Sequence, residues 1–235
     1  MNGILNILKP KGISSYKVVR EVKNILNIKK AGHAGTLDPS ASGVLLVCLG
    51  QATKIVKFMM ELNKHYLGEM TLGISTDTQD SEGKIIQRKE VNTDIDEKRI
   101  KRIFQKYKGT ISQIPPMFSA VHYKGERLYH LARKGIEVKR NPKKVKIYQF
   151  NLIKIIQKKN PIVEFGVVCS KGTYIRTLCN DIGEELGYGA YLSNLIRKKV
   201  GNFDIQDSLS LEELKKDKTL GKKYLITIGS ALKNI

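Results

Sequence analysis

Six residues, VLLVCL (44–49), lie between Gly43 and Gly50 with no polar side chain among them. A run so short, apolar and free of alternation reads as a buried strand, because it has no face to turn to water. Helices are legible on either side of it. KPKGISSYKVVREVKNIL gives a Pro-Gly turn, Ser14 or Ser15 as N-cap, then Val18, Val19, Val22, Ile25 and Leu26 at helical spacing. QATKIVKFMMEL predicts a short helix with Ile55, Val56, Met59 and Met60 inward. KHYLGEMTLGI (64–74) puts Tyr66, Met70, Leu72 and Ile74 on one parity and predicts a strand, followed by the polar loop STDTQDSEGK. DIDEKRIKRIFQKYKG is a helix with Ile100, Ile103, Phe104 and Tyr107 on one face and Gly109 as C′.

Beyond Pro115-Pro116, GERLYHLARKG predicts a short helix, and KRNPKKVKIYQFNLIKII a basic turn entering a strand. IVEFGVVC is a further strand, and TYIRTLCNDIGEELG a helix with Leu178, Ile182 and Leu186 on one face. SLEELKK starts a last helix. Strands and helices mix without regular βαβ alternation, so the expected class is α+β, one catalytic-sized domain with a short tail.

Lys+Arg of 42 against Asp+Glu of 22 gives a net charge of +20. Counterion release makes such a surface bind polyanions. Only nine of the 42 are Arg, and drift in an AT-rich genome supplies part of a lysine excess. Cys48, Cys169 and Cys179 are odd in number and form no C-x-x-C pair, which argues for buried reduced thiols rather than disulfides or zinc. The four histidines give no H-E-x-x-H spacing, so no metal is expected. No phosphate-binding glycine motif points to a nucleotide cofactor. No apolar run approaches 18 residues, and the N-terminus lacks the features of a signal peptide, so a cytoplasmic protein without membrane contact is expected.

AGHAGTLDPSASG (31–43) holds one carboxylate, Asp38, among small residues, with His33 the other titratable group. Asp38 could cap a helix with Pro39 at N1, though Gly43 leaves room for barely one turn, or close an Asx turn. Small neighbours also let a backbone and a bulky substrate approach one carboxylate. The stretch by itself decides among none of these.

AGHAGTLDPSASGVLLVCLGQATK resembles the signature of the TruB family of pseudouridine synthases, which isomerise a uridine in the T-loop of transfer RNA (position 55). KHYLGEMTLGISTDTQDSEG, IPPMFSAVHYKGERLYHLARKGIEV and CSKGTYIRTLCNDIGEELG match the same family in the same order, and the blocks together span about residues 2–210. The resemblance implies the pseudouridine synthase fold, a mixed and mainly antiparallel central sheet flanked by helices. It implies no cofactor, since the reaction has no net redox change, and it implies tRNA, through its T-arm, as partner to a monomeric enzyme. Residues 1–210 are then the catalytic domain. Residues 211–235 are a tail too short for the PUA-type RNA-binding domain that bacterial members usually carry.

By the same resemblance Asp38 falls on the catalytic aspartate and Arg176 on the arginine that pairs with it. Tyr66 falls on the tyrosine that stacks on the target base and is a candidate for proton transfer. His33, Tyr174 and Leu195 fall on substrate-contacting positions, and Asp80 in a loop that recognises the T-loop. Without the family, Arg176 reads as an exposed helix arginine, and Tyr174 and Leu195 as core. The basic clusters 139–146 and 196–201 are expected to touch the RNA backbone. Two alternatives stand beside this: a non-catalytic RNA-binding or tRNA-folding chaperone on the same fold, and a synthase for ribosomal or guide-RNA-directed targets.

Overall fold

The run VLLVCL is a strand covered on both faces, which is why it carries no polar residue. The computed structural model describes residues 1–91 and 95–233 and divides into two units, Met1–Leu67 with Leu195–Ile235, and Gly68–Asn194. The first unit begins with β1 (Gly3–Lys9), α1 (Ser15–Ile25), β2 (Ala31–His33), β3 (Ser42–Leu49), α2 (Val56–Glu61) and β4 (Lys64–Leu72), along which the chain passes into the second unit. There follow β5 (Ile74–Thr76), β6 (Ile85–Arg88), α3 (Glu97–Lys106), β7 (Gly109–Gln113), β8 (His122–Tyr123), β9 (Glu126–Arg127) and α4 (Leu128–Arg133). The second unit continues with β10 (Lys143–Ile156), β11 (Ile162–Cys169), α5 (Ile175–Leu186) and β12 (Ala190–Val200), which leads back to the first. The first unit closes with β13 (Phe203–Asp204), β14 (Leu209–Ser210), α6 (Leu211–Lys216), α7 (Leu220–Lys223) and α8 (Ile228–Leu232).

In the first unit β1 runs antiparallel to β3, from Gly3↔Leu49 to Lys9↔Gly43, and parallel to β14. On its other side β3 pairs parallel with the end of β12 through Ile196↔Ser42 and Arg197↔Gly43. Val44, Leu46 and Cys48 pack with Ile4, Met59, Leu62, Val200 and Phe203. Leu45, Val47 and Leu49 pack with Val18, Val19 and Val22 of α1 and with Leu211 and Leu214 of α6. Ser14, of the two candidate caps, accepts from Lys17 N at 3.2 Å and starts α1. Ser210 and Glu213 form a reciprocal capping box that starts α6.

In the second unit β10 runs antiparallel to both β11 and β7. Phe104 of α3 stacks on Phe150 of β10 with ring centroids 3.9 Å apart, and Phe165 of β11 meets Phe150 edge-on at 5.5 Å. Gly68 of β4 is glycine because a Cβ there would lie 2.4 Å from Phe165 Cζ. The class is α+β, and the sheet pairings are mixed and mainly antiparallel. The three cysteines are buried free thiols. Among the described residues no helix is long and apolar enough to cross a membrane.

Several local expectations are corrected. Met60 is 41% exposed, because α2 is only six residues long and turns Met59 inward with its neighbour outward. The strand expected over 64–74 stops at Leu72, since Gly73 takes φ +83 and Ile74–Thr76 pairs separately with β6. The polar loop after it is partly interior, with Ser75, Thr76 and Asp80 all buried. Gly109 is not the C′ residue of α3: the helix ends at Lys106 with Tyr107 as C-cap, and Gly109 opens β7 at φ +89. The expected start of α3 touches Asp94, which lies outside the described residues; Asp96 caps the helix by accepting from Lys98 N at 2.8 Å.

Candidate active site

Asp38 lies between two strands that are already fixed, β2 and β3, and the eight residues joining them have almost no structure of their own. Ala41 N donates to Asp38 O at 3.1 Å, so residues 38–41 make one tight turn and no helix. What holds the remainder is side chains from elsewhere in the first unit. Arg197, 1% exposed, donates to Val44 O at 2.7 Å, Gly35 O at 3.1 Å and Thr36 O at 3.3 Å. The Ser15 hydroxyl accepts from Leu37 N at 2.9 Å and donates to Leu37 O at 3.0 Å. Lys9, fully buried, donates to Ala41 O at 2.6 Å and Pro39 O at 3.3 Å. Backbone groups on both sides of Asp38 are therefore tied down, which is how a loop without secondary structure becomes a rigid mount.

The small residues of the stretch have a reason the sequence did not disclose. Gly43 has φ +111, and a Cβ there would stand 2.2 Å from the carbonyl oxygen of Arg197 in the neighbouring strand. Gly35 has φ +104 beside the Arg197 guanidinium and the Lys64 side chain. Lys64 is itself buried and donates to Leu62 O at 2.6 Å and to Met60 O. Buried cations thus stand close to the Asp38 loop, a field that favours anions. Replacing Ser15 with Ala should remove both bonds to Leu37 and lower stability by about 1–2 kcal/mol. A thermal melt should read this as a Tm drop of about 2–8 °C.

His33 ends β2 opposite Val47. Its pKa is pushed below the ordinary histidine value by burial and by the nearby Arg197 cation, against a smaller opposing effect of the Gly35 backbone. The imidazole is therefore neutral at pH 7, and its Nδ1 is buried without a hydrogen-bond partner among the described residues. A folded-state pKa below the unfolded one means that the unfolded chain takes up the proton first as pH falls. Stability should therefore decline as pH drops through about 6.5 towards the folded value, by at most ~1.4 kcal/mol per pH unit for this one group. Urea melts of His33→Asn against wild type from pH 7.5 to 5 should show a shallower acid limb in the variant.

Tyr66 is half-buried on β4, and Leu195 is buried on β12 one residue before the Ile196↔Ser42 pair. His33, Asp38, Tyr66 and Leu195 thus belong to the first unit, and Tyr174, Arg176 and Asp80 to the second.

In the second unit Tyr174 is the residue before α5, its N–H donating to Gln113 Oε1 at 2.8 Å and its carbonyl accepting from Gln113 Nε2 at 3.0 Å. Arg176 is not an exposed helix arginine, being 4% exposed. Its Nη2 donates to Phe118 O at 2.6 Å and its Nη1 to Thr78 O at 3.3 Å, and Asp80 Oδ2 lies 3.6 Å from Nη1. Asp80 is itself 4% exposed, so its carboxylate serves Arg176 rather than lying open on a recognition loop.

The basic clusters also sort differently from expectation. Within 196–201 Arg197 is a structural cation, while Lys198 and Lys199 are exposed, Lys199 pairing with Asp204 at 2.8 Å. Within 139–146 Arg140 is engaged with Glu137 and Pro115 O, while Lys139, Lys143, Lys144 and Lys146 are exposed. Arg197, Lys9, Ser15 and Gln113 were missed as site residues. One signal was available for Arg197, the rarity of arginine in a lysine-rich chain.

A family model described as the TruB family pseudouridylate synthase N-terminal domain matches residues 23–175, and one for the tRNA pseudouridylate synthase B C-terminal domain matches 176–233. The chain belongs to the TruB family of pseudouridylate synthases. It is 49% identical over 232 residues to tRNA pseudouridine synthase B of Clostridium tetani, covering 99% of this chain and 78% of that one. It is 50% identical over 214 residues to the protein of the same name from Alkaliphilus oremlandii, covering 91% of this chain and 70% of that one. Among solved structures, one protein in a Cbf5-Nop10-Gar1 complex is 33% identical with a TM-score of 0.71, matching 94% of this chain and 56% of that one. A second, in an H/ACA RNP bound to a substrate RNA containing 2′-deoxyuridine, is 30% identical with a TM-score of 0.68 and is matched over 55% of its length. Family membership gives the chain the pseudouridine synthase fold and sets it among isomerases.

Proposed function

We propose that this chain isomerises the T-loop uridine at position 55 of tRNA to pseudouridine, acting as a monomer in the cytoplasm with Asp38 as its nucleophile. The observation that carries the reading is the mounting of Asp38, a single carboxylate on a loop fixed from both sides by Arg197, Ser15 and Lys9. Family membership and a charge of +20 support tRNA as the substrate.

In the reaction the N1–C1′ bond breaks, the base turns and C5 bonds to C1′. The C5 hydrogen leaves as a proton and N1 ends protonated, so electrons balance without a cofactor. A fixed carboxylate suits attack on an electron-poor carbon of the nucleotide. Extruding the uridine costs a few kcal/mol, and stacking on the Tyr66 ring returns about 1–3 kcal/mol. His33, Tyr174 and Leu195 contact the nucleotide, and Arg176 is the cation assigned to the Asp38 carboxylate.

The test is release of tritium to water from an unmodified tRNA transcript labelled at uridine C5, with the product mapped. Release confined to the T-loop uridine is expected. Release mapped to another uridine would remove the position, and tRNA binding without any release would leave an RNA-binding protein. Affinity should fall by about tenfold or more between 50 and 200 mM salt, as for several phosphate contacts made by lysines. A filter-binding titration giving a flat salt response would rule out the lysine-dominated interface.

A further inference from the structure

We infer that Gln79 and Thr177 are positioning residues that aim the Arg176 guanidinium, a role that rests on the assignment of Arg176 to the reaction. Gln79 is one of three described non-glycine residues with a left-handed backbone, at φ +65, in the middle of the Thr78–Gln79–Asp80 segment. That conformation is unfavourable for a residue with a Cβ and persists where its surroundings impose it. Here three bonds hold it. The Thr177 hydroxyl donates to Gln79 Oε1 at 2.7 Å, Leu192 N donates to Gln79 O at 3.0 Å, and Gln79 N donates to Thr76 O at 3.1 Å.

The residues on either side of Gln79 are the ones that grip Arg176. Thr78 offers its carbonyl to Nη1, and Asp80 sets its carboxylate beside the same nitrogen. Asp80 is fixed in turn by the Thr78 hydroxyl at 2.6 Å and Glu82 N at 3.1 Å on Oδ1, and by the Thr76 hydroxyl at 2.7 Å on its carbonyl. Thr177 is the residue after Arg176 in α5. The Thr177–Gln79 bond therefore ties the gripping segment to the helix that carries the gripped side chain, at adjacent residues. Among the described residues, the side-chain hydrogen bonds and ion pairs that join the Thr76–Asp80 segment to α5 are this bond and those of Arg176 itself. Thr177 is 3% exposed, and its hydroxyl spends its proton on this contact.

The experiment uses the full chain and the tritium-release assay under saturating tRNA. Thr177→Val keeps the shape and removes the hydroxyl, and Gln79→Ala removes the acceptor. Each should lower kcat by about 10- to 100-fold, the scale of a misplacement of about 1 Å, with KM for tRNA and Tm little changed. Thr177→Ser should restore the rate, and the double variant should be no slower than either single one, since both remove the same bond. In an Arg176→Ala background Thr177→Val should cost nothing more.

An unchanged kcat in Thr177→Val would overturn the inference, as would a loss that persists undiminished in the Arg176→Ala background. A raised KM with kcat intact would make Gln79 a direct tRNA contact instead. If wild type itself releases no tritium, the functional reading fails separately. The aiming of Arg176 is then judged by NMR hydrogen exchange of its guanidinium, which should speed up in Thr177→Val and, if unchanged, refutes the inference.

Discussion

Asp38→Asn should abolish tritium release while leaving the protein folded and able to bind tRNA. The expected loss is on the order of 10⁴-fold or more, the scale seen when a nucleophile is removed from an enzyme that uses one. Asparagine keeps the size and shape of the side chain and removes its charge. The bonds from Arg197, Ser15 and Lys9 to the carbonyls and amides of residues 35–41 are made by other side chains to backbone and do not depend on the substitution. Thermal melts and tRNA titrations should therefore stay close to wild type. A variant retaining a tenth of the rate would show that Asp38 orients rather than attacks, and the chemistry would have to be reassigned.

Arg197→Met should be the most damaging substitution for the scaffold. Methionine fills similar length but leaves three interior carbonyls, of Gly35, Thr36 and Val44, without the donor they now share. Breaking a buried charged network in this way costs about 3–5 kcal/mol. For a chain of this size that lowers Tm by roughly 6–20 °C. The rate should fall as well, because the Asp38 mount loses its hold on one side. Arg197→Lys should recover little, since an ammonium is a point donor and cannot fork across carbonyls as a guanidinium does. Lys198→Met, next along the strand but exposed, is the control and should leave Tm within a degree or two.

Elements with a strong period were legible. The valines of α1 and the apolar face of α3 follow directly from spacing, and the unbroken apolar run of VLLVCL matches its cover on both faces. Where the sequence misled, tertiary contacts had overridden local pattern. Thr76 and Asp80 look like solvated loop because their letters are polar, yet they are buried, each bonded to its neighbours. Met60 differs from Met59 only in which side of a very short helix it occupies. Family resemblance nominated Asp38, Tyr66 and Arg176 as site residues, where composition alone would have left Asp38 a turn. Arg197 was taken for a phosphate contact because a run of basic letters does not reveal that every second side chain of a strand points inward.

The residues that hold the Asp38 loop come from positions 9, 15 and 197, and the first unit is closed only by residues 195 onwards. A ribosome makes Asp38 early and Arg197 late. The whole second unit, residues 68–194, is synthesised in between, at about 5–20 residues per second on the order of ten seconds. For that interval β2 already covers Val47–Leu49, but Ser42 and Gly43 of β3 lack their parallel neighbour and the Val44 carbonyl its guanidinium donor, so the nascent chain presents a short unpaired stretch of strand edge. A nascent chain would thus gain competence in one late step rather than by degrees. Slow closure through such distant contacts is also when the chain is most exposed to aggregation.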